Sequence, residues 1–135
     1  MRLKLKINLA PQRALAIAQI DELIEGARLR FVTPGSAQAM VYQQKYEEAL
    51  AFIADPQIDP AEVPHIYGEI GITAPSPAEV AQVILNLRSL WRDVSALLEQ
   101  LRLGSKQAIE QASTAEAIQE VIDAARAQLT SLQTS

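Results

Sequence analysis

Four apolar residues between positions 3 and 9 alternate with polar ones, and Pro11 follows them. Alternation with a period of two places every second side chain on one face of a β-strand, so residues 1–10 are predicted to form a short N-terminal strand arm. A lone strand has no hydrogen-bonding partner within its own domain, and we expect it to pair with another chain; a loosely docked terminal arm is the other interpretation. The partner-binding face of the arm is predicted to consist of Leu3, Leu5, Ile7 and Leu9.

Beyond the arm, apolar residues recur at intervals of three and four, which is the spacing of amphipathic α-helices. One helix is predicted over residues 11–31 and a second over residues 36–54, with Thr33 or Ser36 as the cap of the second. Because the connection between them is short, the two helices are expected to pair as a hairpin over residues 11–54. Their inward-facing residues are predicted to be Ile17, Ile20, Ile24, Ala27, Phe31, Ala39, Tyr42, Tyr46, Ala49 and Ile53.

Prolines mark the middle of the chain. Residues 55–64 are predicted to be a linker, since a proline at every fourth position excludes an α-helix interior. A short helical turn over residues 64–71 is expected next. Ser76 and Glu79 then form a capping box with Pro77 in the first helical turn, which predicts the start of a long helix.

The long helix carries an apolar stripe over three heptads that is broad enough to contact two neighbouring helices. Gly104 is a candidate for its end, although the same face continues to Ala112. A second capping box over residues 113–116 opens the last helix. The inward-facing residues are predicted to be Val80, Val83, Ile84, Leu87, Leu90, Trp91, Val94, Leu97, Leu98 and Leu101 of the long helix, and Ile118, Ile122, Ala125, Leu129 and Leu132 of the last.

These elements predict an all-α fold with one short strand arm. The helical domain, residues 11–135, is expected to be a small bundle of hairpin 11–54, linker 55–64 and a helical hairpin over residues 65–133. A chain of 135 residues is the usual size of one domain. No apolar run approaches the ~20 residues of a membrane span. The chain has no cysteine, which excludes disulfides and thiolate metal sites.

Charge is unevenly distributed over a chain whose formal net charge is −4. Residues 1–30 carry six basic against three acidic residues, whereas the remainder carries six against thirteen. A net acidic body argues against nucleic acid as a partner, because phosphate contacts need clustered basic residues. Arg88, Arg92 and Arg102 are interpreted as the solvated back of the long helix.

Few residues are suited to catalysis or to cofactor binding. His65, the single histidine, lies beside the linker without a second ligand at metal spacing, so we expect it to be solvated or locally hydrogen-bonded. Glu47 and Glu48 are neighbours in a helix and point in different directions, and Glu69 is the only other nearby acid, so an acid–base pair is not expected. No glycine-rich phosphate loop is present. We therefore predict no catalytic residue, cofactor or metal, and a protein that is not an enzyme.

A segment around the first helix break resembles small helical and tail-fibre-associated proteins of tailed bacteriophages and prophages. In that pattern a helix ends at an Arg-aromatic pair, a Thr-Pro-Gly turn follows, and a Gln-Ala-Met-x-Tyr helix leads on to Lys and Glu-Ala. The similarity extends to a long helix with a central Trp, and it covers roughly residues 13 to 125. The residues that carry it are Arg30, Thr33, Pro34, Gly35, Gln38, Tyr42, Lys45 and Trp91.

The resemblance implies a structural or accessory protein of the phage tail, made in the host cytoplasm and carried in the virion. Its partners would be other tail proteins, such as a fibre or baseplate chain. A tail-fibre assembly chaperone is the first alternative, and a phage-encoded inhibitor of a host protein is the second. The heptad stripes and the lone strand also favour a homo-oligomer.

Overall fold

The computed structural model describes residues 7–33 and 35–134, except for the side chains of Ser36, Gln133 and Thr134. Within these residues the fold is all-α and contains no strand. A 3-10 turn, Pro60–Glu62, precedes the third helix. The five α-helices of the described residues are α1 (Ala10–Arg28), α2 (Ser36–Ala54), α3 (Pro64–Gly68), α4 (Pro77–Gln111) and α5 (Ala115–Thr134).

The described residues divide into two compact units. The first contains α1, the part of α4 from Ser95 onward, and α5. In it α1 packs against α5. Its core is aliphatic, and its buried hydrophobic residues are Leu9, Ala16, Ile20, Ile24, Ala27, Leu98, Ile109, Ile118, Ile122, Ala125 and Leu129.

The start of α1 corrects the predicted strand arm. Leu9 is the N-cap residue of α1 and has α-helical backbone angles. The side chain of Asn8 accepts a hydrogen bond from the N–H of Ala10 at 3.1 Å, and the Leu9 carbonyl accepts the first helical bond from Arg13 at 2.9 Å. Leu9 is buried because it lies seven residues before Ala16, on the same face of the helix. Residues 1–6 of the predicted arm, including Leu3 and Leu5, lie outside the described residues.

The second unit, Val32–Val94, contains α2, the 3-10 turn, α3 and the N-terminal part of α4. Here α2 packs against α3. The proline-rich segment 55–64 contains no α-helical residue before Pro64, where α3 begins, and it contributes Val63 to the core. The buried hydrophobic cluster of this unit consists of Ala49, Phe52, Val63, Ile66, Val80, Ala81 and Ile84.

The predicted hairpin over residues 11–54 does not match this division, because α1 belongs to the first unit and α2 to the second. The buried face of α2 is also displaced from the predicted one. Ala49 is buried as predicted, but Phe52 is buried in place of Ile53, and Tyr42 and Ile53 are 39% and 49% exposed. A short connection allows a hairpin but does not require one, since each helix packs wherever its apolar face is covered.

The starts and ends of the helices test the capping signals in the sequence. Ser76 accepts a hydrogen bond from the N–H of Glu79 at 3.2 Å, which confirms the predicted start of α4. The start of α5 lies one residue later than predicted, because Thr114 and not Ser113 is the cap and accepts a hydrogen bond from the N–H of Ala117 at 3.0 Å. The predicted cap of α2 is wrong, because its N-cap is Gly35 at φ +112°, without a side-chain hydrogen bond. Gly104 does not end α4, which continues to Gln111.

Two neighbouring apolar rows run along α4, and they differ in burial. Ile84 and Leu98 are 9% and 0% exposed. Trp91, between them in the same row, is only partly buried. The neighbouring row, from Val80 to Leu101, is the predicted main seam and is covered only in part. Val80 and Val94 are 0% and 7% exposed, whereas Leu87, Leu90 and Leu97 are 60%, 52% and 48% exposed.

Candidate protein-binding surface

An open groove of about 580 Å³ lies between α4 and α5 in the first unit. Its floor includes the buried residues Ser105 and Ala125. Its walls are made of leucine, valine, alanine, glycine, glutamine and serine side chains from both helices. We call this feature the α4–α5 groove, and its lining residues are Leu97, Gln100, Leu101, Gly104, Ser105, Ala108, Val121, Ala124, Ala125, Gln128, Ser131 and Leu132.

The lining of the groove is uncharged and mostly apolar. None of its residues is Asp, Glu, Lys or Arg. Small residues occupy the middle, at Gly104, Ala108 and Ala124, and leucines stand at one end, at Leu97 and Leu101. Depletion of charge with exposed aliphatic side chains is typical of the centre of a protein interface.

Ion pairs hold α1 to another side of α4. Lys106 Nζ lies 2.9 Å from Asp21 Oδ1, and Arg102 lies 3.9 Å from the same oxygen. Successive residues of an α-helix are rotated by about 100°, so the mean direction of positions 102 and 106 is about 150° away from that of the groove residues of α4. The groove therefore opens on a face of α4 away from these α1 contacts.

Arg102 also donates two hydrogen bonds to Glu99, from Nη2 to Oε1 at 2.5 Å and from Nε to Oε2 at 3.0 Å. This hydrogen bonding, with the charge of the guanidinium, lowers the pKa of Glu99 against the opposing effect of burial and raises the pKa of Arg102. Arg102 is thus an internal ion-pair partner within the first unit. The interpretation of Arg102 as solvated helix back is corrected.

The C-terminal end of α4 is capped by a side chain from α1. Arg13 Nη2 donates a hydrogen bond to the carbonyl oxygen of Ala112 at 2.8 Å. A cation at a helix C-terminus satisfies a free carbonyl and interacts favourably with the helix dipole. This contact stabilises the turn that joins α4 to α5, and hence the spacing of the groove walls.

The second unit contains a polar cluster that was not expected from the sequence. Glu48 is 3% exposed, and it accepts a hydrogen bond from the backbone N–H of His65 at 2.7 Å. Its second oxygen pairs with Nδ1 of the same His65 ring. Glu48 thereby joins α2 to the first turn of α3. Both carboxylate oxygens are engaged with His65, which suits a clamp between two helices.

A second ion pair lies in the same unit. Lys45 Nζ lies 2.6 Å from Glu69 Oε2, and the Thr73 hydroxyl donates to Glu69 Oε1 at 2.5 Å. Burial raises the pKa of Glu69, but the hydrogen bonds from Lys45 and Thr73, with the charges of Lys45 and His65, outweigh it and leave this pKa below its ordinary value. Lys45 connects α2 to the turn after α3, in parallel with the Glu48 clamp.

Arg88 joins α4 to α2 in this unit. Its guanidinium lies 4.1 Å from the centroid of the Tyr46 ring, and Nη1 donates to Gln43 Oε1 at 3.1 Å. A cation over an aromatic face is a favourable electrostatic contact. Arg88, like Arg102, is therefore engaged in packing, while Arg92 is exposed and pairs with the adjacent Asp93 at 3.4 Å.

The residues of the resemblance are spread over the second unit, apart from Arg30. The Tyr42 hydroxyl donates to Thr33 Oγ1 at 3.0 Å, which closes the turn before α2 around Gly35. Gln38 is exposed, Arg30 is exposed at the end of the first unit, and Pro34 lies outside the described residues. This turn is thus organised as a helix start, in which Thr33 and Tyr42 make a structural hydrogen bond.

Of the four residues predicted to bind a partner, two are described. Ile7 is 78% exposed, which agrees with a role at a surface, whereas Leu9 is 8% exposed and belongs to the core. Sequence reasoning missed the α4–α5 groove. The heptad spacing of Leu97, Leu101 and Gly104 is a signal that could have indicated the groove. The sequence pattern instead predicts Leu97 and Leu101 to be core residues and Gly104 to be a helix end.

Neither a membrane helix nor a metal cluster is found in the part of the chain that the structure describes. None of the helices there is long and apolar enough to cross a bilayer. No group of three or more His, Cys, Asp or Glu residues there is arranged to hold a metal ion.

Comparisons with known proteins identify no relative of this chain. No family model, no curated protein and no solved structure matches the chain.

Proposed function

We propose that this chain is a structural or accessory protein of a bacteriophage tail that acts by binding other protein chains. The observation that supports protein binding is the open, uncharged α4–α5 groove in the first unit. The tail setting rests on the pattern of residues 13 to 125, which resembles that of tail-associated helical proteins. The proposed partners are a fibre or baseplate chain, and the proposed location is the virion.

The N-terminal residues are the second part of the proposed binding surface. Ile7 presents its side chain to solvent immediately before α1 begins. Leu3 and Leu5 share its period-two spacing in the sequence. We retain Leu3, Leu5 and Ile7 as partner-binding residues, with an extended segment adding to a sheet edge of another chain, and we remove Leu9 from the set.

Mass spectrometry of purified particles tests the tail assignment. Particles are prepared from a phage or prophage that encodes this chain, and the abundance of the chain is compared with that of the fibre and baseplate proteins. A fixed ratio to those proteins is the expected result. Presence in a fibre complex before assembly, with absence from finished particles, would instead identify an assembly chaperone. Absence from both would overturn the proposal.

Site-specific photocrosslinking tests the binding surface. A photoreactive amino acid replaces Leu101 in the groove, and the matched control replaces Leu15, which is on α1 in the same unit and 69% exposed. We expect crosslinks to another protein chain from position 101 and none from position 15. Equal crosslinking from both positions would show that the groove is not the binding site.

A further inference from the structure

We infer that the α4–α5 groove is covered by the same groove of a second copy of this chain, in an antiparallel two-fold dimer. The inference rests on the proposed role of the groove in protein binding, and it names the occupant. A two-fold interface uses one surface twice, so that surface must be complementary to itself. Shape, charge and area of the groove each bear on this requirement.

The shape of the groove is complementary to itself along α4. Leu97 and Leu101 are followed, at heptad spacing, by Gly104 and Ala108. A two-fold axis between residues 102 and 103 places Leu101 of one copy opposite Gly104 of the other, and Leu97 opposite Ala108. Each leucine then enters a space left by a small residue, as in knobs-into-holes packing. In a parallel pair the leucines would oppose leucines, and the small residues would leave a gap.

The absence of charged residues from the groove also suits a second copy. The chain has a formal net charge of −4, so two copies repel wherever acidic surfaces meet. The groove lining is free of charged residues, and Arg102 and Lys106 of the same helix are engaged in ion pairs with Asp21 of α1. A neutral lining allows close approach of two acidic chains.

The area is close to what a specific dimer needs. The α4 segment of the first unit, residues 95–111, is about 25 Å long at 1.5 Å per residue. Two adjacent helices present a face about 20 Å wide, so each copy covers on the order of 500 Å². The total, about 1,000 Å², is at the lower limit of specific interfaces. We therefore expect a dimer that dissociates on dilution.

Sedimentation equilibrium of the full-length protein, with Gly104→Leu as the variant, tests the dimer. Space around the Gly104 Cβ position is open in the single chain, and leucine is the better helix former, so the variant folds. Its side chain fills the space that Leu101 of the second copy needs. We expect the dimer dissociation constant to rise at least tenfold. The matched control is Gly26→Leu in α1, where the space is also open, and it should leave the constant unchanged.

Cysteine crosslinking tests the antiparallel register, because the natural chain has no cysteine. An equimolar mixture of Leu101→Cys and Gly104→Cys chains should form the mixed disulfide under mild oxidation. Each variant alone should remain largely uncrosslinked. Disulfides between two Leu101→Cys chains would indicate a parallel pair and overturn the register.

The outcomes separate this inference from the tail assignment. A wild-type chain that is monomeric at every accessible concentration, or a dimer unaffected by Gly104→Leu, overturns the inference. A monomer that still crosslinks to a tail protein from position 101 leaves the proposed function standing. A dimer of the stated register that is absent from particles and from fibre complexes leaves the inference standing and removes the tail assignment.

Discussion

Glu48 of α2 binds His65 of α3 twice, through the backbone N–H and through Nδ1 of the ring. The carboxylate is almost completely buried, whereas about a third of the His65 side chain is exposed. One side chain therefore satisfies a free N–H at the start of a short helix and positions an imidazole. Without Glu48, α3 has no side chain at its N-cap that hydrogen-bonds to its first turn.

Removal of this clamp should destabilise the second unit. We expect Glu48→Ala to lower the free energy of unfolding by about 2–3 kcal/mol, because it leaves a buried N–H and the imidazole without their acceptor. Urea denaturation followed by circular dichroism measures the change. Glu47→Ala is the control, since Glu47 is exposed and accepts a hydrogen bond from Gln43, one turn earlier in the same helix. A loss below 0.5 kcal/mol, about the size expected for the control, would contradict the clamp.

Acid should weaken the contact between Lys45 and Glu69. The pKa of Glu69 is lowered in the folded chain. The hydrogen bonds from Lys45 and Thr73, together with the charges of Lys45 and His65, outweigh the effect of burial, which raises this pKa. A lowered folded-state pKa stabilises the fold above the ordinary pKa of 4.5, and this contribution is lost as the pH falls through the folded-state value.

The variant Lys45→Met measures that contribution. Unfolding free energies of wild type and variant should differ at pH 7 and converge as the pH falls below about 4.5. If the difference in unfolding free energy stays constant from pH 7 to the lowest pH measured, Lys45 acts only through packing of the aliphatic part of its side chain.

Adjacent leucines on α4 should differ sharply in their contribution to stability. Leu98 is fully buried, and Leu98→Ala is expected to cost about 2–5 kcal/mol because it leaves a cavity. Leu97 is 48% exposed, and Leu97→Ala should cost less than about 1 kcal/mol. Thermal and urea unfolding at low protein concentration give both values for the monomer. Equal losses would place the buried face of α4 elsewhere.

Two glycines should respond in opposite directions to alanine. Gly104 lies inside α4 with open space at its Cβ position, so Gly104→Ala should stabilise the monomer by about 0.5–1 kcal/mol. Gly71 has φ +84°, a conformation that L-residues disfavour, so Gly71→Ala should destabilise it by about 1 kcal/mol. Differential scanning calorimetry of the two variants gives the signs. Destabilisation by Gly104→Ala would contradict the open environment of that site.

Truncations distinguish the terminal residues from the core. Deletion of residues 1–6 should leave the free energy of unfolding unchanged within about 0.5 kcal/mol and abolish binding to a partner that is recruited through this segment. Leu9→Ala should instead cost about 2–3 kcal/mol, because Leu9 is buried on the core face of α1. Unchanged partner binding after the deletion would remove Leu3 and Leu5 from the proposed surface.

Much of the local architecture was predictable from the sequence because its causes are local. Ser76 and Glu79 are three residues apart, and so are Thr114 and Ala117, so each cap hydrogen bond joins near neighbours in the sequence. The spacing of Ile20, Ile24 and Ala27 likewise predicts a helix with one buried side.

Leu9 shows the limit of such patterns, because position 9 satisfies both the alternation of residues 3–9 and the helical spacing to Ala16. Only the packing of α1 decides between the two. The helical spacing is the one realised at Leu9, because its side chain is removed from water when it packs on the core face of α1.

Contacts between distant residues were decided by tertiary structure alone. Glu48 and His65 are 17 positions apart, and Arg13 and Ala112 are 99 apart. Nothing in the spacing of either pair indicates that they meet. The same holds for the choice between Leu97 and Leu98, which lie side by side on a broad apolar stripe. Periodicity specifies which side chains share a face of a helix, but the neighbouring helices determine which part of that face is covered.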